Sequence, residues 1–249
     1  MNDLIPLLLL LLISLALCSG VAVAFLAYSM LRQSRIPISM KASDSAINAS
    51  YRSQPASYSV RPDCWVAIKS CNLLAVQGAL GLLHPKPCSW SEGLASEQQS
   101  FIAPPVQGWI LVIGPGVPDP GQDVDACFRF VQALSRKLGH VQLFSANSVL
   151  HHHAWVRAER GRIVRAYAWA GKTNWVQGHP TPAEKQLGLQ CFGYAEPAEG
   201  LSFGDPEAAL TNVDKMPLLA ARWSLDPAGL DERFLEHARG IAGDLSRHY

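Results

Sequence analysis

The chain opens on a long apolar run, and this run constrains the fold more than any other feature of the sequence. No side chain between residues 4 and 31 is charged. A helix rises about 1.5 Å per residue, and about 20 apolar residues cross the hydrocarbon core of a bilayer. Residues 1–31 are therefore predicted to be a membrane anchor, with one retained transmembrane helix over residues 4–31.

Two cleaved forms of the run compete with this anchor. A secretory signal would be cut after the small residues 22–24, but the first three residues carry no positive charge and apolar residues continue to Leu31. A lipoprotein would be cut before Cys18, where the bulky Leu17 stands in place of a small residue. These departures favour the retained anchor.

Basic residues set the predicted orientation. Arg32, Arg35 and Lys41 follow the run, and no lysine or arginine precedes it. The positive-inside rule then predicts a single-pass membrane protein whose larger part faces the cytoplasm. An odd number of cysteines lies outside the run, which favours free thiols over a complete set of disulfides. They are Cys64, Cys71, Cys88, Cys127 and Cys191.

Composition divides the rest of the chain in two. Residues 32–60 are rich in serine and lack apolar periodicity, which predicts a flexible linker. Residues 61–249 are enough for one soluble domain with a core of its own. The net charge of the chain is +1, and no lysine- and arginine-rich block interrupted by aromatic residues is present. Nucleic acid is therefore excluded as a predicted partner.

Apolar periodicity predicts the elements of this domain. Strands are expected at residues 64–70, 108–114 and 141–147, with a short extended piece at residues 101–105. Helices are expected between Asn72 and Gly81 and over residues 124–138, whereas the proline-containing residues 82–93 are expected to form a loop. This order predicts an α+β sandwich domain of the split β-α-β (ferredoxin-like) kind, although other α+β sandwiches give the same order.

The C-terminal third predicts further helices. In "TPAEKQLG", Thr181 and Glu184 match a capping box, Pro182 suits the first helical position and Gly188 ends the helix. Another helix is expected over residues 214–223. Apolar residues recur at helical spacing over residues 230–245, so this tail is expected to pack onto the domain.

Four segments carry a resemblance: "CWVAIKS", "PCSWSEG", "CFRFVQALSRKLGHVQLF" and "RAYAWAGKTNW". Together they resemble a group of uncharacterised bacterial proteins over most of the soluble domain. The resemblance implies a bacterial origin, so the predicted span is expected to lie in a bacterial inner membrane, and it brings no assigned activity.

Residues 151–171, "HHHAWVRAERGRIVRAYAWAG", are predicted to form a β-hairpin. A three-residue loop at residues 159–161, with Gly161 in the left-handed conformation, places Val156 opposite Val164 and gives one face of small apolar residues. The opposite face is aromatic and cationic, and it is predicted either to bind a partner or to pack beneath helices. It carries His151, His153, Trp155, Arg157, Arg165, Tyr167 and Trp169.

A metal site is the weaker alternative. His151 and His153 share one face of the strand and would hold zinc only with a third ligand such as His179 or Cys191. The sequence contains no HExxH, paired CxxC or GxSxG motif, so no catalytic residues are assigned and no cofactor is expected.

The sequence thus predicts a membrane-tethered, non-catalytic module that binds an unknown protein or small molecule, in an immunity or scaffold role. The alternative function is a hydrolase with a histidine-based zinc site.

The anchor is testable on the full-length chain. After expression in bacteria and alkaline carbonate extraction, the chain is expected to stay in the membrane pellet, because the run over residues 4–31 is long enough to span the bilayer. Release into the supernatant, or a mature N-terminus at Phe25, would contradict the prediction.

Overall fold

A single antiparallel sheet organises the described chain. The computed structural model describes residues 62–96, 98–194, 206–230 and 238–245, with side chains from residue 212 onward in the last helix. All of them belong to one compact unit, Ser57–Tyr249. No helix within these residues is long and apolar enough to cross a membrane. The predicted span and linker lie outside the described residues and stay predictions.

The sheet has nine strands within the described residues, and every neighbouring pair is antiparallel. The strands are β1 (Cys64–Lys69), β2 (Leu82–Cys88), β3 (Ser100–Ile102), β4 (Trp109–Ile113), β5 (His140–Asn147), β6 (His152–Glu159), β7 (Arg162–Trp169), β8 (Thr173–Gln177) and β9 (Gly240–Leu245). Their order across the sheet is β2-β9-β3-β4-β1-β5-β6-β7-β8. The helices are α1 (Leu73–Leu80), α2 (Trp90–Ala95), α3 (Val124–Leu138), α4 (Pro182–Leu187) and α5 (Pro206–Trp223).

Helices cover both faces of the sheet, so the α+β class is confirmed. On one face, Val66 and Ile68 of β1 share a core with Phe130 of α3. On the other face, Trp65 shares a core with Met216 of α5. Because successive side chains of a strand point to opposite faces, β1 contributes to both cores by alternation. The same double burial explains the uninterrupted apolar sequence of β4.

The predicted helix boundaries that rest on local capping are confirmed. The Asn72 side chain accepts from the Ala75 N–H, and Gly81 ends α1 with φ of 62°. Asp123 caps α3 in the same way, through the Ala126 N–H. At α4, Thr181 and Glu184 form the reciprocal capping box. Each of these side chains satisfies backbone groups that helix ends leave without partners.

The expected loop at residues 82–93 is wrong, because it contains β2 and α2. β2 is the outermost strand of its side of the sheet, where prolines are tolerated since one edge needs no ladder hydrogen bonds. α2 begins with a capping box between Ser89 and Glu92. That S-x-x-E signal was available in the sequence, and the nearby prolines outweighed it in the prediction.

The C-terminal tail packs onto the domain as predicted, but residues 240–245 do so as a strand. β9 lies between β2 and β3, with Ala242 paired to Phe101 and to Lys86. Ala242 is buried in this position. Helical spacing of apolar residues was a misleading signal here because two distant strands provide pairing that the local sequence does not reveal.

The hairpin forms, but the predicted register is wrong. Its turn has two residues, Arg160 and Gly161, with φ of 50° and 80°. Positive φ at both positions is typical of a type I′ turn, and it confirms the left-handed Gly161. Val156 pairs with Ala166, two positions beyond the predicted Val164. A shift of two residues preserves the faces of a strand, so the separation into a small and an aromatic face survives.

Val164 is the extra residue of a β-bulge in β7. The pairing shifts between Arg157 and Ala158 of β6, which leaves Val164 without an opposite residue and 46% exposed. Gly178 packs on this bulge so closely that a Cβ atom there would lie 2.2 Å from the Val164 carbonyl oxygen. The bulge therefore depends on a residue without a side chain at position 178.

Substitution Gly178→Ala is expected to destabilise the protein more than Gly171→Ala. Both glycines have φ above 70°, and only at Gly178 would the new Cβ meet another atom within 4 Å. The left-handed φ costs either alanine about 1–2 kcal/mol, and the clash at position 178 adds about 1–3 kcal/mol. Urea unfolding of the two variants measures the difference. Equal losses would contradict the close packing at the bulge.

Candidate functional site

The aromatic face of the hairpin lies in the interior of the protein. Trp155 and Tyr167 are fully buried, and Arg165 and His153 are 1% and 2% exposed. The rings of Trp155 and Tyr167 contact each other at 4.9 Å, within the core that includes residues of α4 and α5. The prediction of a surface is therefore wrong for these four residues, and packing beneath helices, the alternative, describes them.

Arg165 and Glu184 form a buried ion pair at the centre of this interior. Both side chains are 1% exposed, and both Nε and Nη2 of Arg165 lie 2.8 Å from Glu184 Oε1. Arg165 Nη1 donates to the carbonyl oxygens of Gln177 and Gly178, each at 3.2 Å. The guanidinium thus ties the end of β8 to β7 next to the bulge.

Glu184 uses its two carboxylate oxygens in different directions. Oε2 accepts from the Thr181 N–H at 2.7 Å and completes the capping box of α4. Oε1 accepts from Trp155 Nε1 at 2.7 Å in addition to Arg165. The capping box was visible in the sequence. The pairing of Glu184 with Arg165 was not, because these two residues meet only through tertiary structure.

His153 is held neutral by its surroundings. Burial lowers its pKa to about 4. Its Nδ1 lies 3.3 Å from the His151 carbonyl oxygen, and its Nε2 lies 3.0 Å from Asn212 Nδ2. Because the amide nitrogen can only donate, Nε2 is the acceptor and Nδ1 carries the proton. Both ring nitrogens are therefore occupied within the protein.

The structure does not gather the four zinc candidates into one site. His151 lies in the turn between β5 and β6, and His179 is exposed between β8 and α4. Cys191 Sγ lies 3.1 Å from Arg165 Nη2, and burial raises the pKa of this thiol to about 11. Among the described residues, no group of three His, Cys, Asp or Glu side chains is placed to hold a metal ion.

The prediction of free thiols is confirmed. Cys64, Cys71, Cys88, Cys127 and Cys191 are all free thiols.

The two remaining residues of the aromatic hairpin face lie nearer the surface. Trp169 is partly buried against Phe192, with ring centroids 5.4 Å apart. Arg157 is partly exposed and forms an ion pair with Glu159, at 2.7 Å from Nη2 to Oε1.

An open cleft lies at the turn end of the hairpin, where Glu159 ends β6. It has a volume of about 840 Å³. Three separate segments line it: the end of β1, the junction between α3 and β5, and the β6–β7 turn with the residues that flank it. The lining residues are Lys69, Gly139, His140, Glu159, Arg160, Arg162, Ile163 and Val164.

The cleft carries an excess of positive charge. Lys69, Arg160 and Arg162 are exposed, and none of the three forms an ion pair within the described part of the chain. The acidic side chain at the cleft, Glu159, is engaged by Arg157, whose hydrogen bond is the main cause that lowers the pKa of this carboxyl group. Three exposed cations therefore line the opening, and the carboxylate of Glu159 attracts Arg160 without forming an ion pair with it.

Aromatic contacts hold the side chains of His140 and Lys69, two of the residues that line the cleft. The ring of Trp109 meets His140 edge to face at 5.1 Å, and Lys69 Nζ lies 5.6 Å from the Trp109 ring centroid. Burial, followed by the positive charge of Arg157, lowers the pKa of His140. The arginines of "RAERGR" were noticed in the sequence, but they were not grouped with Lys69 and His140, which lie far from them along the chain.

Comparison of the chain with protein-family models, with curated proteins and with solved structures gave no match.

Substitution Glu184→Gln is expected to destabilise the protein by about 3–5 kcal/mol, because Arg165 loses its counter-charge while it stays buried. Glutamine has one acceptor oxygen where the Glu184 carboxylate uses two, so the variant removes the counter-charge together with one set of hydrogen bonds. The matched control is Glu159→Gln, which removes the partly exposed partner of Arg157 and is expected to cost about 0–1 kcal/mol. Free energies of unfolding measure both. A loss at Glu184 no larger than at Glu159 would contradict the buried pair's role.

Proposed function

We propose that the protein is a non-catalytic ligand-binding module that binds an anionic ligand in the cleft at the turn end of the hairpin. One observation carries this proposal: Lys69, Arg160 and Arg162 line an open cleft, and none of the three forms an ion pair with another described residue. Like charges that share a concave surface repel one another, and a bound anion removes that repulsion. Arginine also offers a planar set of donors that matches carboxylate and phosphate oxygens.

The basic residues of α3 give a comparison that supports this interpretation. Arg136 and Lys137 lie in the last turn of α3, where cations complement the helix dipole. Lys137 Nζ also donates to the Ala79 carbonyl oxygen at 3.0 Å. These two cations therefore have a structural role, whereas Arg160 and Arg162 have no comparable partner among the described residues.

The proposal includes the predicted location. With the anchor over residues 4–31 and the linker over residues 32–60, the module is held at the cytoplasmic side of a bacterial inner membrane. A flexible linker of this length spans roughly 30 Å on average, from about 5–6 Å times the square root of the residue number. Such a tether raises the effective concentration of the module near membrane-bound ligands.

The finer fold assignment belongs to the same proposal. β4 lies between β1 and β3, β5 lies beside β1, and α1 and α3 pack on one face. This arrangement supports a split β-α-β core of the ferredoxin-like kind, extended by β6–β8 on one side and by β9 and β2 on the other. No observation within the described residues favours the zinc hydrolase.

Isothermal titration of the full-length chain in a neutral detergent, with inorganic pyrophosphate as the probe, tests the proposal. The double substitution Arg160→Ala, Arg162→Ala is expected to weaken binding at least about tenfold, since each charge-assisted hydrogen bond contributes about 1.5–3 kcal/mol. The matched control is Arg129→Ala, Lys185→Ala, which removes two exposed cations outside the cleft. Absence of binding, or equal losses in the two double variants, would contradict the proposal.

A further inference from the structure

We infer that the anionic ligand is the head group of an anionic phospholipid, with the phosphate at Arg160 and Arg162 and the lipid's glycerol and acyl region along Ile163 and Val164. This inference rests on the proposed function, since it names the ligand of the same cleft. It goes beyond that function because it assigns a role to the apolar rim of the cleft as well as to its charges.

The rim of the cleft carries an exposed apolar side chain beside its cations. Val164 is 46% exposed and lines the cleft together with Ile163. Ile163 directly follows Arg162 in β7. A small inorganic anion gains nothing from an apolar wall, because its whole surface is hydrated. An amphiphile with an anionic head gains from both parts, since its apolar region leaves water when it lies against Val164.

The exposure of Val164 is built into the backbone. The bulge in β7 leaves Val164 without an opposite residue, and bulges often redirect a side chain next to a functional site. Gly178 packs against the Val164 carbonyl oxygen, and Arg165 Nη1 donates to the Gly178 carbonyl oxygen at 3.2 Å. A buried ion pair therefore holds the segment that presents an apolar side chain to solvent.

The size and the charge of the cleft both fit a lipid head group. Its volume of about 840 Å³ lies in the range of about 300–1,000 Å³ that is typical of sites for small organic ligands. A bare phosphate needs only a small part of this space. Basic residues near a membrane are attracted to anionic lipids of the cytoplasmic leaflet, which is the leaflet that the predicted orientation places beside this domain.

The experiment compares three probes on the full-length chain in a neutral maltoside detergent, by isothermal titration. Dihexanoylphosphatidylglycerol supplies head group and apolar region, dihexanoylphosphatidylcholine supplies the apolar region with a neutral head, and inorganic pyrophosphate supplies charge alone. Binding of the phosphatidylglycerol, with at least about tenfold weaker binding of the phosphatidylcholine, is expected from the charge of the cleft. Hydrogen exchange over residues 160–166 gives a local readout, and protection by the phosphatidylglycerol is expected there.

The decisive variant is Val164→Thr, which keeps the β-branched shape and makes the rim polar. It is expected to weaken phosphatidylglycerol binding by about three- to tenfold, as for the loss of one buried apolar contact, and to leave pyrophosphate binding unchanged. The matched control is Val149→Thr, at a valine that is 85% exposed in the turn between β5 and β6, away from the cleft. Val149→Thr is expected to change neither phosphatidylglycerol binding nor pyrophosphate binding.

The other outcomes distinguish failure of the lipid inference from failure of the proposed anion-binding function. Equal binding of the two lipids, or no effect of Val164→Thr on phosphatidylglycerol, overturns the lipid inference. If pyrophosphate still binds and the Arg160→Ala, Arg162→Ala variant loses it, the proposed anion-binding function stands without the lipid. If none of the three probes binds, the inference and the proposed function both fail.

Discussion

The buried ion pair between Arg165 and Glu184 is the interaction on which the rest of this structure depends. Each ion loses several kcal/mol of hydration when it is buried, and only complete hydrogen bonding offsets that loss. Here Trp155, the Thr181 N–H and the carbonyl oxygens at the end of β8 supply it. The pair therefore fixes α4, the end of β8 and the bulge of β7 relative to one another, and a change in any of them leaves a charge poorly solvated in the core.

The same pair also keeps two arginines on adjacent strands apart, because each arginine has a different carboxylate partner. Arg157 and Arg165 lie opposite each other on β6 and β7, and like charges in that arrangement destabilise a sheet. Each has its own carboxylate: Arg157 pairs with Glu159 toward solvent, and Arg165 pairs with Glu184 in the interior. The interior pair serves stability, and the outer pair engages Glu159, the acidic residue among those that line the cleft.

What could be predicted from the sequence was local chemistry. The caps of α1 and α4 involve side chains within three residues of the backbone groups they satisfy, so their positions followed directly from Asn72 and Thr181. The separation of the hairpin faces also followed, because it depends only on residue parity. The strand β9, the pairing of Glu184 with Arg165 and the bulge at Val164 depend on partners far along the chain. The cleft was missed for the same reason, since three segments that lie far apart along the chain meet to form it.

The position of β9 has a consequence for how the chain acquires its structure during synthesis. β9 is the last of the described strands to leave the ribosome, yet it belongs between β2 and β3, which are made far earlier. Until it arrives, β3 exposes an unpaired edge and β2 has no neighbour, and such edges are where nascent chains associate wrongly. The two prolines of β2 make that waiting strand a poor template for foreign strands. The nascent chain thus carries its own protection through the interval before its sheet is closed.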